Sequence, residues 1–306
     1  MEDKPLSTRV IIIRHGQSSY NTERRVQGRS DASTLTEKGR DDARKAGAAL
    51  SNLTFAALYT SPLQRAKQSA ELIRDCLTTS PSLQSSDKLM EIDLPLWEGM
   101  LLTEVQDKFP EDYRRWQQCP DELRMVVPQG SGTKEHFPVL TLYEQARQFW
   151  QEILSRHAGE TILIVGHNGI NRALISTALE ISPSRYHSLQ QSNCGISVLN
   201  FTGGLGEPVQ LESMNQTAHL GEILPHCDLI IRDNAYYWYV TVKPSGIAKP
   251  GFREELMFLS TIMVGNRLKR QLNYSRICRL ILPLVAQCCA PKKQLKLFSS
   301  ITLLCN

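Results

Sequence analysis

Val10-Ile11-Ile12-Ile13 runs directly into Arg14-His15-Gly16, and Thr161-Ile162-Leu163-Ile164-Val165 runs into Gly166-His167-Asn168-Gly169. Short, uniformly apolar, β-branched runs that end in glycine turns read as strands buried on both faces, as in a parallel sheet between helix layers. Ligand sites of open α/β sheets lie at the carboxyl ends of the strands. If these two strands are neighbours, both imidazoles enter one pocket.

Working outward, Thr36 precedes a segment whose Ala43, Ala46, Gly47 and Leu50 recur at helical spacing, so Thr36 is expected to cap a helix returning from the first strand. Ala56-Ala57-Leu58-Tyr59-Thr60 reads as a second buried strand, followed by Ser61-Pro62 and a helix with Ala66, Ala70, Ile73 and Leu77 on one face. Leu142, Ala146, Phe149, Trp150, Ile153 and Leu154 mark a helix before the strand at Thr161. Ile170 to Leu179 reads as a further helix and Ile196 to Phe201 as a further strand. This alternation predicts a three-layer α/β/α fold, a mostly parallel sheet with helices on both faces. The stretch from about Glu91 to Pro138 breaks the rhythm with Trp97, Trp116 and a loop-like Pro128-Gln129-Gly130-Ser131-Gly132, so it reads as an inserted cap over the site.

Composition narrows the classes. The 306 residues suffice for a sizeable core, and no apolar run approaches the roughly 18 residues that span a bilayer. The start, Met1-Glu2-Asp3-Lys4-Pro5, has no basic region leading into an apolar one, so a cytoplasmic location is expected. The eight cysteines show no metal spacing, and reduced thiols are expected. The formal charge of +4 conceals an asymmetry: residues 226–306 hold 12 Lys/Arg against 4 Asp/Glu, and five of the eight cysteines. A boundary is therefore placed near Pro225, dividing a body at 1–225 from a basic, Cys-rich tail at 226–306.

Histidine beside arginine suits phosphate. A guanidinium grips phosphate oxygens in a bidentate fork, and a neutral imidazole nitrogen is a competent nucleophile toward phosphorus. Arg14, His15, Arg65 and His167 are the candidates at strand ends, with Glu91 as a possible general acid. Taken singly, each has a plainer reading: a structural histidine, a solvated arginine, an ordinary carboxylate.

Their order carries more weight. Arg14-His15-Gly16-Gln17-Ser18, Asn21, Gln27-Gly28, Leu35-Thr36, Gly39, Ser61-Pro62-Leu63, Arg65-Ala66, Glu91, Trp97-Glu98-Gly99 and Gly166-His167-Asn168-Gly169 resemble the phosphoglycerate mutase-like branch of the histidine phosphatase superfamily. The resemblance spans residues 9 to about 201. Within the branch, Gln190 to Val198 is similar to phosphatases of 2-carboxyarabinitol 1-phosphate. The resemblance implies that His15 takes the phosphoryl group while Arg14, Arg65 and His167 hold its oxygens. It also implies that Asn21 donates to the phosphate, that Gln27 and Gly28 line the substrate side, and that Glu91 protonates the leaving oxygen and then activates water. No metal or other cofactor is expected, because fixed cations do the electrostatic work and no Walker-type or Asp-rich site is present.

A phosphomonoesterase of small phosphorylated metabolites, sugar phosphates or sugar-acid phosphates, is the expected function. Phosphoglycerate mutase is the alternative; a noncatalytic relative binding a partner is the second. Against the mutase, Met100-Leu101-Leu102 follows Gly99 where the resemblance to mutases would want a basic, Tyr-rich cluster. Asp31, Arg114, Arg115 and Lys134 are possible selectivity residues. The tail admits three readings: a helical subdomain, a basic amphipathic segment, or a stretch that does not fold alone. No second Arg-His-Gly appears in it, as some two-domain relatives would have, so a truncated or frame-altered form is one expectation. Its positive residues are scattered, so no nucleic-acid partner is expected.

Overall fold

The computed structural model describes residues 7–130, 132–222, 239–242 and 301–304. The chain divides into two units, Met1–Asp228 and Leu229–Asn306. The first contains, in order, β1 (Thr8–Arg14), α1 (Ser19–Glu23), α2 (Glu37–Leu50), β2 (Ala57–Thr60), α3 (Gln64–Arg74) and β3 (Leu83–Ser85). The inserted region follows with α4 (Leu102–Lys108), α5 (Pro110–Gln118), β4 (Met125–Gln129) and β5 (Gly132–His136). Then come α6 (Pro138–Arg156), β6 (Thr161–Gly166), α7 (Asn168–Ala178), β7 (Ile196–Phe201) and β8 (Val209–Gln216). In the second unit, β9 (Tyr239–Val242) pairs antiparallel with β10 (Ile301–Leu304). The three readings of the tail otherwise lie outside the described residues.

Six strands form one sheet in the order β3-β2-β6-β1-β7-β8. The β3/β2, β2/β6 and β6/β1 pairs are parallel, whereas β7 runs antiparallel to both β1 and β8. The sheet is thus mostly parallel, with β7 the reversed strand. Alternation along each strand decides what faces which helix layer. Val10, Ile12, Ile162, Ile164 and Tyr59 pack with α6 and α7, around Phe149, Trp150 and Leu174. Ile11, Ile13, Leu163, Val165 and Leu58 pack with α2 and α3, around Ala43, Ala46, Ala70 and Ile73. Each such aliphatic side chain contributes about 1.5–3 kcal/mol on full burial. A one-residue slip of β1 would exchange the two sets, so this double-sided burial pins the register that sets the site.

Thr36 does cap α2, its hydroxyl accepting from Gly39 N at 3.0 Å. Gly39 has a further use: a Cβ there would run into the backbone of Gln17, and one on Gly16 would run into Gly39. Two glycines thus let the turn after β1 lie directly on the first turn of α2. The Pro128-to-Gly132 stretch is not a plain loop; it belongs to the β4/β5 hairpin, with Pro128 opposite Thr133. Among the described residues, no helix is long and apolar enough to cross a membrane.

Candidate active site

Arg14 pairs with Gly166 in the parallel β1/β6 ladder, and His15 N extends that ladder by donating to Gly166 O at 2.9 Å. His15 and His167 therefore leave the sheet side by side, with ring centroids 5.1 Å apart and planes at 63°. His15 Nδ1 lies 2.7 Å from Gly16 O. A ring nitrogen facing a carbonyl carries the hydrogen, so Nε2 keeps the lone pair.

Two arginines flank the imidazoles. Arg14 Nη1 donates to Gln191 O at 2.7 Å, and Cys194 N donates to Arg14 O at 3.0 Å, so the turn before β7 grips Arg14 from both ends. Arg65, near the start of α3, donates from Nη1 to Ser30 O at 2.7 Å and from Nη2 to Gly28 O at 2.9 Å. Its Nε has no hydrogen-bond partner among the described residues. Neither does either ring nitrogen of His167, which is 0% exposed. Buried donors and acceptors left in this state cost about 1–3 kcal/mol each, a cost characteristic of a ligand site.

Burial holds both His15 and His167 well below the usual histidine value, reinforced first by Arg65 and further by Arg14. Both rings are therefore neutral at pH 7. The sign of the stability effect follows: below the unfolded-state value of about 6.5 the unfolded chain takes up protons that the folded chain refuses. Stability is full above that value and falls with decreasing pH, by up to about 1.4 kcal/mol per pH unit per histidine. Urea unfolding between about pH 6 and pH 5 should show this slope, shallower by one histidine's share in His15→Asn. An unchanged slope would contradict the neutral assignment.

Glu91 reaches the same pocket from the start of the insertion. His167 is the N-cap of α7, but its side chain supplies no capping bond. Glu91 caps the helix instead, since Gly169 N donates to Oε2 at 3.0 Å, and Ile170 N and Ile92 N donate to Oε1 at 3.1 and 2.8 Å. Arg29 Nε holds the Glu91 carbonyl at 3.2 Å, and Gln145 of α6 clamps the carbonyls of Lys88 and Met90 at 3.0 and 2.8 Å. Gly169 is required by this packing, because a Cβ there would run into Glu91 Oε1 and the Tyr186 hydroxyl.

The neutral donors are oriented by their own oxygens. Asn21 Oδ1 accepts from Ser18 N at 3.1 Å and Asn193 Nδ2 at 3.2 Å, which leaves Nδ2 to donate. Gln27 Oε1 accepts from Ser18 Oγ at 2.9 Å and Ser33 Oγ at 3.0 Å, which leaves Nε2. Arg14, His15, Asn21, Gln27, Gly28, Arg65 and Glu91 together line a cleft of about 210 Å³. His167 packs against His15 and is not among the lining residues. The insertion adds Trp97 and Trp116 to the lining.

The four charged residues singled out for selectivity are not in that lining. Asp31 instead accepts from Gln64 N at 2.7 Å, at the start of α3. Arg114 and Arg115 pair along α5 with Glu111 and Asp112, and Lys134 is exposed on β5. Among the described residues, no three His, Cys, Asp or Glu side chains gather as a metal site.

The profile of the histidine phosphatase superfamily (branch 1) matches residues 10–215, which include every residue of this cleft. The chain belongs to the histidine phosphatase superfamily. It is 39% identical over 212 residues to wheat (Triticum aestivum) 2-carboxy-D-arabinitol-1-phosphatase, covering 68% of this chain and 41% of that protein. The chain thus spans about two fifths of the length of that plant relative. Phosphoserine phosphatase 1 of Hydrogenobacter thermophilus is 30% identical over 214 residues, 70% of this chain and 95% of that one. The Entamoeba histolytica phosphoserine phosphatase, solved with 3-phosphoglyceric acid, aligns with a TM-score of 0.58 at 25% identity, over 70% of this chain and 99% of that chain.

Three contributors to this histidine phosphatase site are not among the residues that sequence reasoning singles out. Asn193 Nδ2 donates both to Asn21 Oδ1 at 3.2 Å and to His15 O at 2.9 Å, bracing the nucleophile candidate and its neighbour with one amide. Arg172 and Tyr186 line the cleft from α7 and the following turn. Two of the three carry a local signal: Asn193 lies within the Gln190 to Val198 stretch, and Arg172 follows Gly169 by about one helical turn.

Proposed function

We propose that this chain is a phosphomonoesterase of small phosphorylated metabolites, acting through a phosphohistidine on His15. The observation that carries this is the β1/β6 register, which sets neutral His15 beside His167, with the charges of Arg65 and Arg14 close by. His15 Nε2 attacks phosphorus, an N–P bond forms and the P–O bond to the leaving group breaks. Arg14, Arg65, His167 and Asn21 Nδ2 bind the equatorial oxygens, whose charge is spread in the transition state.

Glu91 supplies the proton to the departing oxygen. Its Oε1 already accepts two backbone N–H groups and its Oε2 one, so Oε2 is the oxygen that carries the transferable proton. In the second step Glu91 takes a proton from water, the water oxygen attacks phosphorus, the N–P bond breaks and inorganic phosphate leaves. Phosphates of carboxylated metabolites, as in the relatives' names, are the natural substrates to try first.

Glu91→Gln tests the acid role, because glutamine retains the size of the side chain and an acceptor oxygen for α7. It should slow the phosphorylation step, read as leaving-group release in the first turnover, by roughly 10²- to 10⁴-fold with alkyl phosphates and far less with p-nitrophenyl phosphate, whose leaving group needs no proton. Equal losses on both would remove Glu91 from the chemistry. Interconversion of phosphoglycerate isomers without phosphate release would favour the mutase reading, and silence on all substrates the noncatalytic one.

A further inference from the structure

Of the arginines lining the cleft, Arg172 has the least ordinary surroundings. Arg25, by comparison, is tied to Glu23 at 2.6 Å. Arg172 has no carboxylate within 4.0 Å among the described residues, and its neighbours are neutral or aromatic. Its guanidinium carbon sits 5.3 Å from the Tyr186 ring centroid, and Nη1 lies 3.4 Å from His187 Nδ1. Its Nε is buried without a partner among the described residues. A guanidinium kept in a cleft wall without a counter-charge is stabilised by a ligand that brings one.

Its position says which part of the ligand. Tyr186 and Glu91 both crowd Gly169, and Arg172 reaches Tyr186, so Arg172 belongs to the side of the cleft where Glu91 meets the leaving group. The phosphate cations Arg14 and Arg65 are held instead by Gln191, Ser30 and Gly28. Beside Arg172 the wall is aromatic, with Trp116 5.4 Å from Tyr186 by ring centroids. Trp116 O also takes a hydrogen bond from His187 Nε2 at 2.7 Å. Nε2 therefore carries the hydrogen and His187 Nδ1 accepts from Arg172, which aims the guanidinium.

We propose that Arg172 is a specificity-determining residue that binds a carboxylate on the leaving group, so that the preferred substrates are phosphomonoesters of hydroxy acids. One fork with neutral neighbours matches one planar monoanion; a second phosphate would bring twice the charge to the same few donors. The proposal rests on the phosphatase reading only for assigning which end of the substrate is phosphate.

The test compares O-phosphoserine with O-phosphoethanolamine, which differ by one carboxylate. Calorimetry on the full chain carrying His15→Ala reads binding with turnover removed. Phosphoserine should bind roughly 10- to 100-fold more tightly, Arg172→Gln should erase most of that ratio, and Arg172→Lys should retain part of it. A ratio untouched by Arg172→Gln, or no preference at the outset, overturns the proposal; a merely structural role would weaken both ligands alike. Phosphate release from p-nitrophenyl phosphate by the chain with His15 intact separates the two claims. Selective binding without release would overturn the phosphatase reading and leave Arg172 standing, whereas release without Arg172-dependent selectivity would do the reverse.

Discussion

His15→Ala is expected to reduce phosphate release by roughly 10⁴- to 10⁶-fold, the scale on which loss of a covalent nucleophile is felt when its partners remain. The reason lies in the geometry. His15 is buried, its Nδ1 is committed to Gly16 O, and its carbonyl is braced by Asn193, so Nε2 has one orientation. The adjacent His167 packs against His15 at 5.1 Å between ring centroids and is assigned to the phosphate oxygens, not to attack on phosphorus. Substrate binding should be affected much less than turnover, since Arg14 and Arg65 are anchored by backbone carbonyls that the substitution leaves alone. A variant retaining even a tenth of the activity would remove His15 from the covalent role.

Arg65→Lys is expected to lower kcat by roughly 10²- to 10³-fold while the protein still folds. Lysine keeps the charge, but a single ammonium that holds both Ser30 O and Gly28 O has at most one N–H left and cannot grip phosphate in a bidentate fork. Arg65 is 1% exposed, and burial already lowers its affinity for the proton, so its charge acts in a low dielectric where removing the fork is felt strongly. Steady-state kinetics with a thermal unfolding control would check this; a loss of activity matched by a collapse in Tm would assign Arg65 to folding instead.

The core of this architecture is written plainly in the chain. The Val10 to Ile13 and Thr161 to Val165 runs are apolar at every position because both faces of β1 and β6 are covered, and that same property makes them legible. Helices α2, α3, α6 and α7 follow from spacing and, for α2, from its Thr36 cap. Edge strands are harder. β3 has only three residues, and β8 alternates half-buried with exposed positions, so neither carries a hydrophobic signal distinct from a loop. In β4, Pro128 argues against a strand, yet a two-stranded hairpin tolerates it.

The site divides the same way. His15, His167, Arg14 and Arg65 occupy strand ends and a helix start, where topology alone brings them together. Glu91 is found by resemblance; its capping of α7 depends on a contact across 78 positions in sequence, which no local pattern encodes. Asp31, Arg114, Arg115 and Lys134 are suggested by charge, yet charge does not reveal which way a side chain faces. Asp31 turns to the start of α3, and Arg114 and Arg115 find their partners along their own helix.

The most direct test of the covalent route is to mix the full chain with a carboxylated phosphomonoester such as O-phosphoserine, quench in alkali within the first turnover and sequence the modified peptide by mass spectrometry. One phosphoryl group, stable to alkali, labile to acid and located on His15, is the predicted result. Phosphate release with no such adduct, or an adduct on His167 or on a hydroxyl side chain, would contradict it.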